Sequence, residues 1–223
     1  MRPRQTLLLG LLLLVPVLAF LFLYRFGANR YALPTYLPDR VDSMRVGGKW
    51  QRDTVFHQIA SFRLLASDGR VLSSHDLSQG VWVAQLFGPD EVSARVAREL
   101  MQVQEKFRHE PQVRLASVVL EPGPAPAAAL ARLAEQYGTI AGKWVFVTGP
   151  PDTLQCLARQ ELGRAAQAHQ LPPVVGADLM PGTLLLMDHD QRVRGIYDGT
   201  KPREIDRLTT EINVQLYDYA HPH

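Results

Sequence analysis

The chain has 223 residues, with 24 basic and 22 acidic side chains and a formal net charge of +2. This near balance excludes the basic footprint that nucleic-acid binding requires. A single cysteine, Cys156, excludes a disulfide within the chain. Beyond an apolar N-terminal run and the irregular stretch that follows it, about 165 residues remain, which is the size of one ordinary domain.

The N-terminal run at residues 6–24 contains no charged side chain and follows a short basic N-terminus at residues 1–5. At about 1.5 Å per residue in a helix, the run is long enough to cross the hydrocarbon core of a membrane. We therefore expect one uncleaved transmembrane helix. A cleaved signal peptide is the alternative, but the run continues past the small-residue site at 17–19.

The next stretch, residues 25–55, contains the prolines of 32–40 and the pair Gly47 and Gly48, without sustained periodicity. Such composition predicts a stalk that holds a domain away from the membrane. We expect the domain at residues 56–218 and a short tail at 219–223.

The domain's pattern predicts alternating strands and helices. A hairpin is expected over 58–77, and a hydrophobic strand over 81–87 is followed by a turn and by a helix from Asp90. The helix is predicted from an apolar stripe at helical spacing: Val92, Val96, Leu100, Val103 and Phe107. Further strands are predicted at 113–120, 144–148, 183–187 and 192–197, and further helices at 126–137, from Asp152 or Thr153 to about 162, and at 202–216. This order predicts an α/β fold with a mixed sheet flanked by helices.

The turn after the 81–87 strand is the most informative stretch. A strand that ends at a helix N-terminus is a common place for a reactive group, because the helix start offers free N–H groups and a positive dipole end. In thiol-redox and copper-carrier folds of this shape the turn carries cysteines, whereas residues 88–91 here are Gly-Pro-Asp-Glu.

Several segments together carry a family resemblance: the hairpin turn at 67–70, the strand at 81–87, MQVQEKF at 101–107, residues 135–138, WVFVTG at 144–149 and DHDQRVRGIYDGT at 188–200. In order and spacing they resemble the Sco/SenC proteins, thioredoxin-fold copper-binding factors linked to cytochrome c oxidase assembly. The resemblance covers residues 55–216. It implies a thioredoxin-like domain on an inner-membrane, single-pass protein, with the domain in the periplasm.

The departures from the family lie at its copper site, which resembles a Cys-x-x-x-Cys pair at the turn and a histidine ahead of a late strand. Counting back from Phe107 places the pair near Pro89 and Ser93, and counting back from Asp188 places the histidine near Met180. The family's Asp-Pro loop is also altered, to Glu-Pro-Gly-Pro at 121–124. We therefore predict no catalytic, cofactor-binding or metal-ligating residues and no bound cofactor.

The predicted function is a non-catalytic binding or assembly factor whose partner is a respiratory oxidase or a copper-handling protein, without a nucleic-acid or small-molecule substrate. A first alternative is a weak copper chaperone that uses Met180 and histidines, of which the chain has His57, His75, His109, His169, His189, His221 and His223. A second alternative is a thiol-dependent enzyme that uses Cys156, although its neighbours Leu154, Leu157 and Ala158 favour a packing role.

Overall fold

The computed structural model describes residues 12–22, 33–46, 49–120, 126–158 and 182–221. The chain divides into two units, Met1–Ala32 and Leu33–His223. In the first unit, residues 12–22 form a helix whose side chains are exposed. Within the described ranges, no helix has both the length and the apolar character that crossing a membrane requires. The rest of the predicted anchor at 6–24 lies outside the described residues.

The second unit contains a seven-stranded mixed sheet, a separate hairpin and five described helices. The strands are β1 (Pro38–Val46), β2 (Lys49–Phe56), β3 (Arg63–Ala66), β4 (Val71–Ser73), β5 (Val81–Phe87), β6 (Val113–Val119), β7 (Trp144–Thr148), β8 (Thr183–Met187) and β9 (Val193–Asp198). The helices are α1 (Ser74–Leu77), α2 (Glu91–Lys106), α3 (Pro126–Gln136), α4 (Pro151–Gln155) and α5 (Pro202–Ala220).

The strand order in the large sheet is β4-β3-β7-β6-β5-β8-β9. Strands β5, β6 and β7 are parallel, and β3, β4, β8 and β9 pair antiparallel to their neighbours. Strand β5 lies inside the sheet between β6 and β8 and every one of its residues is buried, which explains why all of them except Gln85 are apolar. The predicted mixed sheet with flanking helices is confirmed.

Helix α2 packs on one face of the sheet through the predicted apolar stripe. Val96, Leu100 and Val103 are each at most 1% exposed and belong to the same core cluster as Leu208 and Ile212 of α5. Leu154 of α4 belongs to the cluster on the opposite face. Burial of these side chains removes apolar area from water on both faces and holds the helices against the sheet.

Helix α4 differs from its prediction at the N-terminus. It begins at Pro151 with Pro150 at the capping position, so Asp152 and Thr153 lie inside the first turn and neither caps the helix. Proline suits the first helical position, which Pro151 occupies, because the first N–H groups of a helix have no partner within the helix. The predicted end near residue 162 lies outside the described residues.

Part of the stretch expected to be a stalk is folded. Leu33 and Leu37 are 3% and 8% exposed, and they belong to the core clusters on opposite faces of the sheet. Residues 33–37, which we call the strap, therefore pass around an edge of the sheet. Strands β1 and β2 then form an antiparallel hairpin of their own. Two prolines and the lack of periodicity conceal this structure in the sequence.

The strap is fastened to edge strand β9. The backbone N–H of Tyr36 donates to the carbonyl of Val193 at 2.9 Å. The guanidinium of Arg194 donates to Thr35 Oγ1 at 2.8 Å and to the carbonyl oxygen of Leu33 at 2.6 Å. These contacts join residues about 160 positions apart in the chain.

Candidate functional site

The turn between β5 and α2 is closed by a ring of hydrogen bonds between Asp90 and Ser93. Asp90 caps the helix: its Oδ1 accepts from the backbone N–H of Ser93 at 2.8 Å, and its Oδ2 accepts from Ser93 Oγ at 2.7 Å. Ser93 Oγ in turn accepts from the backbone N–H of Gly88 at 3.1 Å. Although burial opposes the shift, the hydrogen bonds from Ser93 hold the pKa of Asp90 below its usual value.

A buried polar chain connects this turn to the middle of the sheet. Trp144 Nε1 donates to Ser117 Oγ at 3.0 Å, and that hydroxyl donates to Gln85 Oε1 at 2.8 Å. Gln85 Nε2 then donates to the carbonyl oxygen of Ser93 at 3.0 Å. All four side chains are at most 1% exposed. The chain thus ties β5, β6 and β7 to the first turn of α2.

The polar chain was not predicted. Its only sequence signal is the presence of Gln85 and Ser117 inside otherwise apolar strands, where an unsatisfied polar group would be costly. Such a pair predicts a buried hydrogen bond, but the partner depends on which strands are neighbours.

The segment that follows residue 181 returns to the same turn. A Cβ on Gly182 would lie 3.1 Å from Val92 Cγ1 and 3.6 Å from Val96 Cγ2, so the backbone of Gly182 lies directly against the first two turns of α2. The backbone N–H of Gly199 donates to the carbonyl oxygen of Gly182 at 2.7 Å. Met180 itself and the altered loop at 121–124 lie outside the described residues.

No family model matches the chain, and no curated protein matches it. Solved structures do match. A SCO1/SenC family lipoprotein from Bacillus anthracis has 16% sequence identity and a TM-score of 0.55, over 71% of this chain and 95% of that one. The Sco protein BsSco, described as a cytochrome c oxidase assembly protein with a disulfide switch, has 19% identity and a TM-score of 0.51, over 70% and 91%. Copper-bound ScoI from Arabidopsis thaliana has 14% identity and a TM-score of 0.51, over 72% and 98%.

The domain has the fold of the Sco proteins. At these identities the likeness establishes the fold, and it confirms the thioredoxin-like architecture that the sequence predicted. Functional residues have to be judged on this chain's own side chains.

The side chains at the turn do not fit the copper site that the Sco fold implies. Pro89 has no donor atom on its exposed side chain, and Ser93 is 1% exposed. The Ser93 hydroxyl donates its proton to Asp90 and accepts from Gly88, so it is already engaged. A copper site of the Sco type requires soft thiolate ligands, and a neutral buried hydroxyl does not replace a thiolate.

The described histidines are dispersed over the Sco fold. His57 Nδ1 lies 3.1 Å from Asp39 Oδ2, His189 packs edge-on against Tyr219, and His221 stacks on Tyr217. His75 and His109 are exposed, and His169 and His223 lie outside the described residues. Among the residues that the structure describes, no group of three or more His, Cys, Asp or Glu side chains is arranged to hold a metal ion.

Cys156 follows α4 directly and is half-buried. It lines a cavity of about 320 Å³ together with Ser61, Phe62 and Asp152. Its neighbours Leu154, Leu157 and Ala158 are buried in the core of this face, as the packing interpretation of this segment requires. The structure places Cys156 on a different segment from the β5–α2 turn, where a Sco-type thiol pair would lie.

Proposed function

We propose that this chain is a Sco-type protein without the family's metal and redox site, and that it acts as a non-catalytic binding or assembly factor in respiratory oxidase biogenesis or copper handling. The Sco fold and the description of BsSco as an oxidase assembly protein support this role. The observation that carries the proposal is the turn at 88–93, because its frame is retained while its ligand positions are a proline and a buried, hydrogen-bonded serine.

The proposal includes a membrane anchor at residues 6–24 and a domain in the periplasm, at the inner membrane. The uncharged apolar run supports the anchor. The absence of a possible internal disulfide does not argue against the periplasm, since the fold has a buried core on both faces of its sheet.

Copper binding separates this proposal from that of a weak copper chaperone. We expect the full chain, purified in non-ionic detergent, to bind Cu(I) no more tightly than micromolar in competition with a chelator. As a matched control, the triple variant Pro89→Cys, Ser93→Cys, Met180→His restores the family's ligand types at the positions counted above. Wild-type affinity tighter than micromolar that Met180→Leu abolishes would instead establish the copper chaperone.

Co-purification of a partner protein tests the proposed role as a binding or assembly factor. We expect the tagged full chain, isolated from its native membranes after mild crosslinking, to co-purify with an oxidase subunit or a copper-handling protein. The same experiment with the N-terminal 32 residues alone controls for capture through the apolar segment. If the full chain is recovered monodisperse and without such a partner, the assembly role is wrong.

A further inference from the structure

A cavity of about 510 Å³ lies at the end of the sheet opposite to the β5–α2 turn. Its lining includes Gln79, which precedes β5, Arg114 at the start of β6, and Lys143, which precedes β7. Because β5, β6 and β7 are parallel, their first residues lie at one end of the sheet and the turn after β5 lies at the opposite end. The cavity is therefore distinct from the position of the Sco metal site.

The cavity contains two cations without a carboxylate partner. Lys143 is 9% exposed, and its Nζ donates to the carbonyl oxygens of Glu110 and Val113. Arg114 donates to the carbonyl oxygen of Asp76 and, at 3.4 Å, to Gln79 Oε1. Within the part of the chain that the structure describes, neither cation forms an ion pair. Burial lowers the pKa of the Lys143 amine, a shift that a bound carboxylate would oppose.

The carboxylates of the lining are already engaged elsewhere. Asp68 Oδ2 lies 2.6 Å from Arg70 Nη2, and Asp76 Oδ2 accepts from both the N–H and the hydroxyl of Ser73. These interactions hold the pKa of both carboxyls below the usual value. Asp76 attracts Arg114 and Glu110 attracts Lys143 only through space, without an ion pair, so each cation keeps a position open for a carboxylate from outside.

The cavity is also lined by apolar side chains. Ala66, Leu72, Leu77 and Val145 line it, and the lining residues extend over four neighbouring strands, β4-β3-β7-β6. Three strand spacings correspond to about 14 Å, which matches four or five residues of extended peptide. A lone inorganic anion would contact the cations and would leave these apolar side chains uncovered.

We propose that this cavity binds a short extended segment of a partner protein that combines acidic and aliphatic side chains, with a carboxylate placed between Arg114 and Lys143. The inference rests on the proposed function in so far as that function requires a protein partner. It adds where the partner docks and by what chemistry.

The test uses the full chain in non-ionic detergent and blocked pentapeptides with Glu at positions two and four and Leu, Val or Ile elsewhere, each labelled with a neutral dye. Fluorescence anisotropy compares every peptide with its Gln counterpart. We expect the best acidic peptide to bind at least about tenfold more tightly than that counterpart, since a hydrogen-bonded ion pair replaces a neutral contact. Arg114→Gln, which keeps a donor for Asp76, and Lys143→Met are each expected to remove most of this preference.

Arg108→Gln is the matched control, because it makes the same charge change at an exposed helix end outside the cavity, where Arg108 pairs with Glu105. Circular dichroism confirms that each variant folds. The proposal is wrong if no acidic peptide is preferred, if Arg108→Gln lowers binding as much as Arg114→Gln, or if inorganic phosphate binds in an Arg114-dependent way and the peptides do not. If membrane partners co-purify equally with Arg114→Gln, the docking site is wrong while the proposed function stands.

Discussion

Ser93 stabilises the β5–α2 turn through both its backbone and its hydroxyl. Its N–H and Oγ both donate to Asp90, its Oγ accepts from Gly88, and its carbonyl oxygen accepts from the buried Gln85. The serine thus satisfies backbone groups of the turn and has a structural role at this position.

We predict that Ser93→Ala lowers the free energy of unfolding by about 1–3 kcal/mol, because Gly88 N–H loses its acceptor and Asp90 loses a donor in a part-buried setting. Urea denaturation of wild type and variant measures the difference. Ser78→Ala is the control, since that hydroxyl donates to the carbonyl oxygen of His75 near solvent, and its cost is expected within about 0.5 kcal/mol. Equal costs for the two variants would contradict a special role for Ser93.

A second residue, Asp188, gives the stability a dependence on pH. It is 3% exposed; burial raises the pKa of its carboxyl, while the N–H of Arg192 at 2.9 Å and the charge of Arg194, 3.7 Å away, oppose the shift. The folded chain therefore holds this proton more tightly than the unfolded chain, in which aspartate titrates near about 3.9. Stability from this group is present below that pH and is lost as the pH rises through the folded pKa.

We therefore predict that wild type loses stability relative to Asp188→Asn as the pH is raised from about 3.9 toward neutrality. Urea denaturation of both proteins at a series of pH values gives this difference. Asp68→Asn is the control with the opposite sign, because the hydrogen bond from Arg70 lowers the pKa of Asp68, so that wild type loses relative stability on acidification. A flat difference for Asp188→Asn would show that burial does not shift its titration.

The strap shows how a short irregular element can be part of the core. It has no regular secondary structure, yet its two leucines reach the cores on opposite faces of the sheet and Arg194 binds its backbone. The Asp188 carboxylate lies beside the same guanidinium. The strap is thus fixed by tertiary contacts rather than by local hydrogen bonds.

We predict that Leu33→Ala lowers the free energy of unfolding by about 2–5 kcal/mol, the usual cost of removing a fully buried leucine side chain. Val41→Ala on β1 is the control, because Val41 is 58% exposed and its truncation is expected to cost about 0.5 kcal/mol or less. The comparison by urea denaturation also tests the assignment of residues 33–37 to the domain, since a true linker would tolerate both changes equally.

At the level of elements, the sequence predicted the parts whose signal is local. Strand β5 was predicted with its observed ends, because its hydrophobic run lies between Gly80 and Gly88. The helix that follows was predicted from its apolar stripe and from Asp90 at its start. The strap could not be predicted, since its partners Val193 and Arg194 are distant in the chain and its own composition is that of a linker.

For the molecule as a whole, the parallel strands separate two regions of different character. At their carboxyl ends lies a turn whose hydrogen bonds are internally satisfied, and at their amino ends lies a cavity with two cations that have no carboxylate partner in the described residues. The first region could be located from the sequence, because residues 88–91 contain no cysteine where folds of this shape carry one. The second region could not be located in this way, because Arg114 and Lys143 lie near each other only after β6 and β7 pair.

The position of the strap bears on whether two copies of this chain can pair through the edges of their sheets. Strand β9 is at one end of the sheet order, and such a strand presents N–H and C=O groups to which a strand from another molecule can add. Residues 33–37 cross that edge and use one of its carbonyl groups. Proteolysis between residue 37 and the sheet would release this cover, so that a cut in an apparent linker would leave a domain prone to edge-to-edge aggregation.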